Sequence, residues 1–262
     1  MTRSARARRE AIYDLAVTTG LASVEDLSAR FGVTASTIRR DLAVLKDDGR
    51  LARTYGGAMP VEAHPEASLR QRVGLAYEQK QALARWAAQE IQRGENILLD
   101  GGSTVAALAH QLKTVADLDV STVGLNTIHE LAGATGVRVR CLGGLLREAS
   151  QTFVGPLTEA ALERMTFDRV FLGADAVTAE DGICEADAIQ TRLKELMARR
   201  AERVYLLADS SKLGQRPFHA WVRLPGPWTL VTDDGASAIE VEKFRNAGAV
   251  VEVVATSPRP PS

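Results

Sequence analysis

The sequence predicts a two-part α+β chain: an N-terminal winged helix-turn-helix module followed by a larger α/β domain on a largely parallel sheet. Three observations predict it. Residues 34–57, TASTIRRDLAVLKDDGRLARTYGG, hold a helix with one apolar stripe and then a basic run around two glycines. Seven strand-like runs alternate with amphipathic helical stretches between residues 95 and 255. Charge is also divided: residues 1–60 carry ten Lys or Arg against seven Asp or Glu, net +3, and residues 61–262 carry 22 against 26, net −4.

The N-terminal elements follow in order. Arg6 to Thr19 gives a first helix with Ile12, Leu15 and Ala16 inward. Ser23 with Asp26 makes a capping-box pattern for a short second helix carrying Val24, Leu27 and Phe31 and closing at Gly32. Thr34 then caps a third helix that Gly49 ends. On it Ile38, Leu42 and Leu45 fall at i, i+4 and i+7, one apolar stripe. Ser36, Thr37, Arg39 and Arg40 lie near its start and off that stripe. Short hydroxyls and guanidinium groups there suit phosphate oxygens and base edges in a major groove. Arg50, Arg53 and Tyr55 flank Gly56-Gly57, which reads as the tip of a basic hairpin. The module therefore reads as DNA-binding, with Thr34, Ser36, Thr37, Arg39, Arg40, Arg53 and Tyr55 as the contacting residues. A small helical cap with a solvated basic face is the plainer alternative. The positive charge of this module alone is the asymmetry expected if it alone meets nucleic acid.

The domain boundaries predicted are 1–59 for the module, 60–74 for a linker with two prolines and little apolar periodicity, 75–256 for the α/β domain, and 257–262 for a disordered Pro-rich tail. No apolar run is long enough to span a bilayer, and no signal-peptide pattern opens the chain, so a cytoplasmic protein without membrane partners is expected. The two cysteines, Cys141 and Cys184, lack metal spacing and read as reduced. His64, His110, His129 and His219 have no ligand spacing either; no metal, cofactor or catalytic residue is assigned.

In the second domain the strand-like runs are 95–100, 119–123, 137–142, 169–174, 203–208, 228–233 and 250–255. Ligands of such sheets bind beyond the carboxyl ends of the strands. There the first run leads into Asp100-Gly101-Gly102-Ser103-Thr104 and directly into a helix, placing backbone N–H groups, two hydroxyls and a helix N-terminus around one point, which suits a phosphate. Other runs end at Gly124 to Asn126-Thr127, at Gly173-Ala174-Asp175, and at Asp209-Ser210-Ser211-Lys212. A phosphate cradle, an amide, a carboxylate and a lysine match a small polyhydroxylated phosphate. Each piece has a structural reading too. The Gly-Gly turn can be only a tight connection, Asp100 only an N-cap, and Lys194, beside the stripe of Ile189, Leu193, Leu196 and Met197, only a solvated side chain. Convergence at several strand ends raises the site above those readings.

ASTIRRDLAVL with the following RTYGGA resembles the N-terminal signature of the DeoR family of bacterial transcriptional regulators. LLDGGSTVAALAHQL, LLADSSKLG and LVTDDG resemble segments of that family's sensor domain, so the likeness covers nearly the whole chain. Gly102-Ser103-Thr104 stands where the family commonly has Gly-Thr-Thr, and Gly124-Leu125-Asn126-Thr127 replaces a Val-Thr-Asn-Ser run. The resemblance implies a sensor domain of the sugar-phosphate isomerase and CoA-transferase fold. It implies a repressor of carbohydrate-metabolism genes whose operator affinity changes when a phosphorylated sugar or sugar-derived metabolite binds; the modest basic excess of the N-terminal module separately favours a dimer or tetramer. Carried over by position, its effector residues are Asp100, Gly102, Ser103, Thr104, Asn126, Asp175, Lys194 and Lys212.

A second function class is an isomerase-type enzyme with a helical appendage. It needs a positioned general base beside the substrate carbon. Ala176 follows Asp175 where related isomerases carry a further acid, and Glu180, Asp181, Glu185 and Asp187 come after it. Turnover of aldose and ketose phosphates separates the two classes.

Overall fold

The computed structural model describes residues 5–19, 22–47, 51–54, 57–60 and 66–256. The chain forms two compact units, Met1–Pro65 and Glu66–Ser262. Gly49, Tyr55, Gly56 and the terminal SPRPPS lie outside the described residues, as do the side chains of Leu15, Ala16, Ser23, Asp26 and Arg53.

In the first unit α1 (Ala5–Thr19), β1 (Ala22–Ser23), α2 (Val24–Phe31) and α3 (Ala35–Asp47) precede the strands β2 (Leu51–Thr54) and β3 (Gly57–Pro60). Ile12, Leu27, Ile38 and Leu45 are buried together, with Leu42 and Phe31 packed against them, so the expected stripe of α3 is its inward face. Gly32 has φ +63°, a left-handed turn residue closing α2. β2 and β3 pair antiparallel, Thr54 opposite Gly57. β1 adds a third strand to β3, unpredicted because two residues show no periodicity.

The second unit begins earlier than the linker reading allowed. Ser68 and Gln71 form a reciprocal capping box that starts α4 (Leu69–Gly74). Lys80, on α5 (Tyr77–Glu90), donates to the carbonyls of Arg72 (2.5 Å) and Leu75 (2.6 Å) at the other end of α4. Residues 66–74 are thus folded rather than linking; with Leu69 the buried apolar residue of α4, no apolar period marked the helix.

Then follow β4 (Asn96–Leu99), α6 (Ser103–Gln111), β5 (Leu118–Thr122), α7 (Leu125–Leu131), β6 (Val137–Cys141), β7 (Leu145–Arg147), β8 (Thr152–Val154), α8 (Pro156–Leu162) and β9 (Phe167–Leu172). The remaining elements are β10 (Ala176–Thr178), β11 (Gly182–Glu185), α9 (Ala188–Arg199), β12 (Ala201–Leu207), β13 (Ala220–Val222), β14 (Thr229–Asp233), α10 (Ala238–Asn246) and β15 (Val250–Val254). Seven of these strands, the seven the sequence predicts, form one parallel sheet in the order β15-β14-β12-β9-β4-β5-β6.

In the central strands both faces of this sheet are apolar, as a parallel sheet covered on two sides requires, whereas the edge strands β6 and β15 are largely exposed. Leu98, Val170, Leu172 and Leu206 point to one core with α8, α9 and α10 over it. Ile97, Leu99, Phe171 and Leu207 point to the other, beneath α5, α6 and α7. Period-two alternation therefore separates two cores rather than core from water. The chain leaves β4 toward β5 and β6 on one side and returns to β9, β12, β14 and β15 on the other. That reversal opens a crevice beyond the ends of β4 and β9. The hairpin β7–β8 and the small antiparallel sheet β10-β11-β13 carry further residues to the same crevice.

Candidate functional site

In the first unit the start of α3 is built by hydroxyls. Thr34 Oγ1 accepts from the Thr37 N–H (3.3 Å) and lies 2.9 Å from Ser36 Oγ and 3.0 Å from Thr37 Oγ1. Ser36, Arg39 and Arg40 are exposed, on the side away from buried Ile38 and Leu45. Between the two faces sits Asp41, buried on α3, whose carboxylate takes Arg8 Nε at 2.6 Å and Arg9 Nη1 at 3.7 Å. This clamp between α1 and α3 was not read from the sequence. It fixes the roll of α3, and so the direction in which Arg39 and Arg40 project.

In the second unit a cavity opens at the sheet reversal. Its wall includes Asp100, Gly101, Gly102, Ser103 and Thr104 from the β4–α6 turn, and Gly173, Ala174 and Asp175 after β9. Gly102 has φ +101° and caps α6 without a side chain, leaving the helix N-terminus open toward the cavity. Gly101 has no room for a side chain: an added Cβ would lie 2.2 Å from Thr152 Oγ1. Backbone therefore forms this part of the wall.

Beneath the wall lies a buried ionic frame. Lys194 Nζ donates to the Gly173 carbonyl (2.7 Å) and to Glu185, and lies 3.0 Å from Asp100 Oδ2. Asp100 also accepts from the N–H groups of Gly101 (2.7 Å) and Gly173 (3.0 Å). An ammonium has three donors, and all three here are taken. Burial opposes the charge on Lys194, but Asp100 and Glu185 outweigh it and hold the lysine above its ordinary range. Burial pushes Glu185 up to about 7; Lys194 opposes this, and Asp175 and Asp100 add to it. Lys194 is thus neither a solvated side chain nor a free cation; it ties β4, β9, β11 and α9 together.

The available cations are Lys212 and Arg72. Lys212 Nζ donates to the Ala174 carbonyl (2.6 Å) and lies 3.8 Å from Asp209, leaving it a donor to spare. Burial lowers its pKa against the pull of Asp209 and Asp175, with Arg72 adding to the fall. Arg72 Nη1 donates to Asp175 at 2.5 Å, whereas its Nε and Nη2, buried, find no hydrogen-bond partner. Ser150 Oγ and Gln190 Oε1, also on the cavity wall and buried, are likewise unpartnered.

Of the eight residues the sequence nominated, seven line this cavity: Asp100, Gly102, Ser103, Thr104, Asp175, Lys194 and Lys212. Asn126 is not among them. In the first turn of α7 it is the neighbouring Thr127 that is buried, its hydroxyl directed at the Asp100 carbonyl (3.4 Å). Sequence reasoning missed Arg72, Ser150, Thr152 and Gln190, and named Glu185 only as one acid of a loop. The Ser68–Gln71 capping pattern was the signal that could have placed Arg72 on a helix. No group of His, Cys, Asp and Glu among the described residues could hold a metal ion.

Comparison with known proteins bears on both units. The family profile described as "DeoR-like helix-turn-helix domain" matches residues 8–63, and that described as "DeoR C terminal sensor domain" matches residues 75–234. The chain is 35% identical over 250 residues to the "Putative aga operon transcriptional repressor" of Escherichia coli O157:H7, covering 94% of this chain and 92% of that protein. It is 34% identical over 248 residues to the "HTH-type transcriptional regulator GlpR" of Haloferax volcanii, covering 93% and 96%. It is 30% identical over 229 residues to the "Lactose phosphotransferase system repressor" of Streptococcus mutans, covering 86% and 91%. A solved ribose 5-phosphate isomerase A from Methanocaldococcus jannaschii superposes with a TM-score of 0.38 at 17% identity over 51% of this chain and 52% of that one, too distant to bear on function.

Proposed function

Because the chain belongs to the DeoR family of DNA-binding transcriptional regulators, we propose that its sheet-reversal cavity binds a phosphorylated sugar or sugar-derived metabolite. It is a repressor of carbohydrate-metabolism genes and not an enzyme. What supports the effector reading is one observation. An open helix N-terminus, two cations with donors to spare, and unpartnered buried hydroxyl and amide groups share one cavity. The helix terminus, Lys212 and Arg72 suit the phosphate; Asp175 suits the hydroxyls.

On the DNA side, Thr34, Ser36, Thr37, Arg39 and Arg40 at the start of α3 form the reading surface, with Arg53 and Tyr55 of the wing on the backbone. One module reads too few base pairs for genomic specificity, so the protein acts as a dimer or higher assembly on repeated half-sites. No helix among the described residues is long and apolar enough to cross a membrane, and the proposed location is the cytoplasm.

An effector shifts DNA binding only through unequal affinity for DNA-competent and DNA-incompetent states. The test is operator binding titrated with a panel of aldose and ketose phosphates, for wild type, Lys212→Ala and Ser103→Ala. Both variants need higher effector concentrations. A wild-type response in both places the effector elsewhere.

A further inference from the structure

Two polar groups on the cavity wall are left without function by a phosphate alone. Gln190, in the first turn of α9, and Ser150, in the β7–β8 turn, are 4% and 3% exposed. Gln190 Oε1 and Ser150 Oγ have no partner in the protein. An unpaired buried polar atom is costly, and native proteins keep few of them. Their position is actively held. Asp187 caps α9 by accepting from the N–H groups of Ile189 (2.7 Å) and Gln190 (3.3 Å). Arg147, just before Ser150, donates to the same Asp187 at 3.1 Å and also grips Glu66 with two nitrogens. The two unpartnered groups thus sit on elements locked to each other.

The chemistry of the unpaired atoms restricts what meets them. A carbonyl oxygen only accepts, and an ionised phosphate only accepts. Gln190 Oε1, in the orientation seen, therefore meets a ligand donor, an O–H or N–H, rather than a phosphate oxygen, while the Nε2 of the same amide can donate to a ligand acceptor. Ser150 can give or take. Anionic ligand atoms belong instead at the α6 N-terminus, Lys212 and Arg72. Resting on the effector reading above, we infer that Gln190 and Ser150 form a specificity wall that recognises hydrogen-bond donors on the non-phosphate part of the effector. The site then discriminates among sugar phosphates by hydroxyl or amino groups, and a bare phosphate satisfies only half of it. A site built to pair a polar group rejects a ligand lacking it more strongly than an apolar pocket rejects an extra group.

Full-length wild type, Gln190→Met, Ser150→Ala and Lys212→Ala are compared by calorimetry and thermal shift. The probes are inorganic phosphate, glycerol 3-phosphate, glucose 6-phosphate, 2-deoxyglucose 6-phosphate, glucosamine 6-phosphate, fructose 6-phosphate and glucitol 6-phosphate. Wild type should prefer its best sugar phosphate over inorganic phosphate by about ten-fold or more. Gln190→Met and Ser150→Ala should each erase most of that preference while still binding inorganic phosphate, and Lys212→Ala should weaken every probe. Removing an unpartnered atom should also hold or raise the melting temperature of the ligand-free protein, a change that a residue needed for packing would not give. If both wall variants keep wild-type sugar-phosphate affinity while Lys212→Ala loses it, the wall is wrong and the anion site stands. If Lys212→Ala is unaffected as well, or wild type binds no probe, both readings fall.

Discussion

Arg72 and Asp175, 103 residues apart in sequence, meet in an ion pair with Arg72 Nη1 2.5 Å from Asp175 Oδ1. The pair ties α4 to the loop after β9. It continues through Glu66, 3.6 Å from Arg72 Nη2, to Arg147 and Asp187. A short helix next to the connection between the two units is thereby wired to the cavity wall.

Replacing Arg72 by Ala should weaken sugar-phosphate binding by about ten- to a hundred-fold, a charge-assisted contact being worth roughly 1.5–3 kcal/mol. It should also loosen α4, read as faster amide exchange over residues 69–74. Arg72→Lys keeps charge without the planar fork and should fall between. Wild-type affinity together with wild-type exchange in Arg72→Ala would disprove the coupling.

Glu185 gives the pH prediction. Buried, it is pushed up to about 7, whereas in the unfolded chain it titrates near roughly 4.3. The folded state therefore holds a proton that the unfolded state releases between these values. The resulting stability is complete below the unfolded pKa and is lost as pH rises through 7. Glu185→Gln removes the titration. Urea unfolding at pH 5 and pH 8 should differ less for the variant than for wild type, by on the order of 1 kcal/mol or more. An identical pH dependence would mean that Lys194 keeps Glu185 ionised throughout.

Arg39→Ala or Arg40→Ala should cost about 1–3 kcal/mol of operator binding and relax specificity at one base position, with the fold intact because both side chains are exposed. Arg53→Ala should instead weaken all sequences alike. Gel-shift titration against a randomised operator separates the two patterns, and unchanged affinity in both α3 variants would remove that helix from the interface.

Asp41→Ala leaves Arg8 without its partner inside the first unit. Breaking a buried pair on one side costs about 3 kcal/mol, a large share of a small unit's stability. Circular dichroism should show a separate, lower-temperature transition. Overlapping melts for variant and wild type would make the clamp incidental.

A fragment of residues 1–65 should bind operator DNA far more weakly than the full chain, since the second unit is proposed to hold modules together. Equal affinity would count against assembly through that unit.

The sheet was legible because its signal is long-range and repetitive. Central runs such as ILL and VFL, apolar at successive positions, can be buried only between two layers, whereas the edge run VRVRC alternates and is mostly exposed. The strands β7, β8, β10, β11 and β13 are three or four residues each, below any usable period. In the site, Gly101 to Thr104 and Lys212 were legible from strand-end chemistry. Arg72 was hidden in a segment whose prolines read as linker. Ser150 and Gln190 were hidden because a serine or glutamine has no pattern until its partners are known to be missing. Asn126 was chosen by position in a run, but in α7 it is Thr127 that is buried against Asp100. Lys194 was read as solvated on its own and as effector-binding by resemblance. Only its three acceptors reveal a frame residue.

Those three acceptors also decide what can change without loss of the fold. Lys194 is fully engaged by Asp100, Glu185 and Gly173, so the floor of the cavity is held by contacts within the protein. Residues 150 and 190, by contrast, have unpartnered side-chain atoms on the cavity wall and are proposed to bear on the occupant. A biosensor engineer retuning this protein would randomise those two and leave the lysine and its carboxylates alone, and a gene duplicate could drift to a new inducer by the same route.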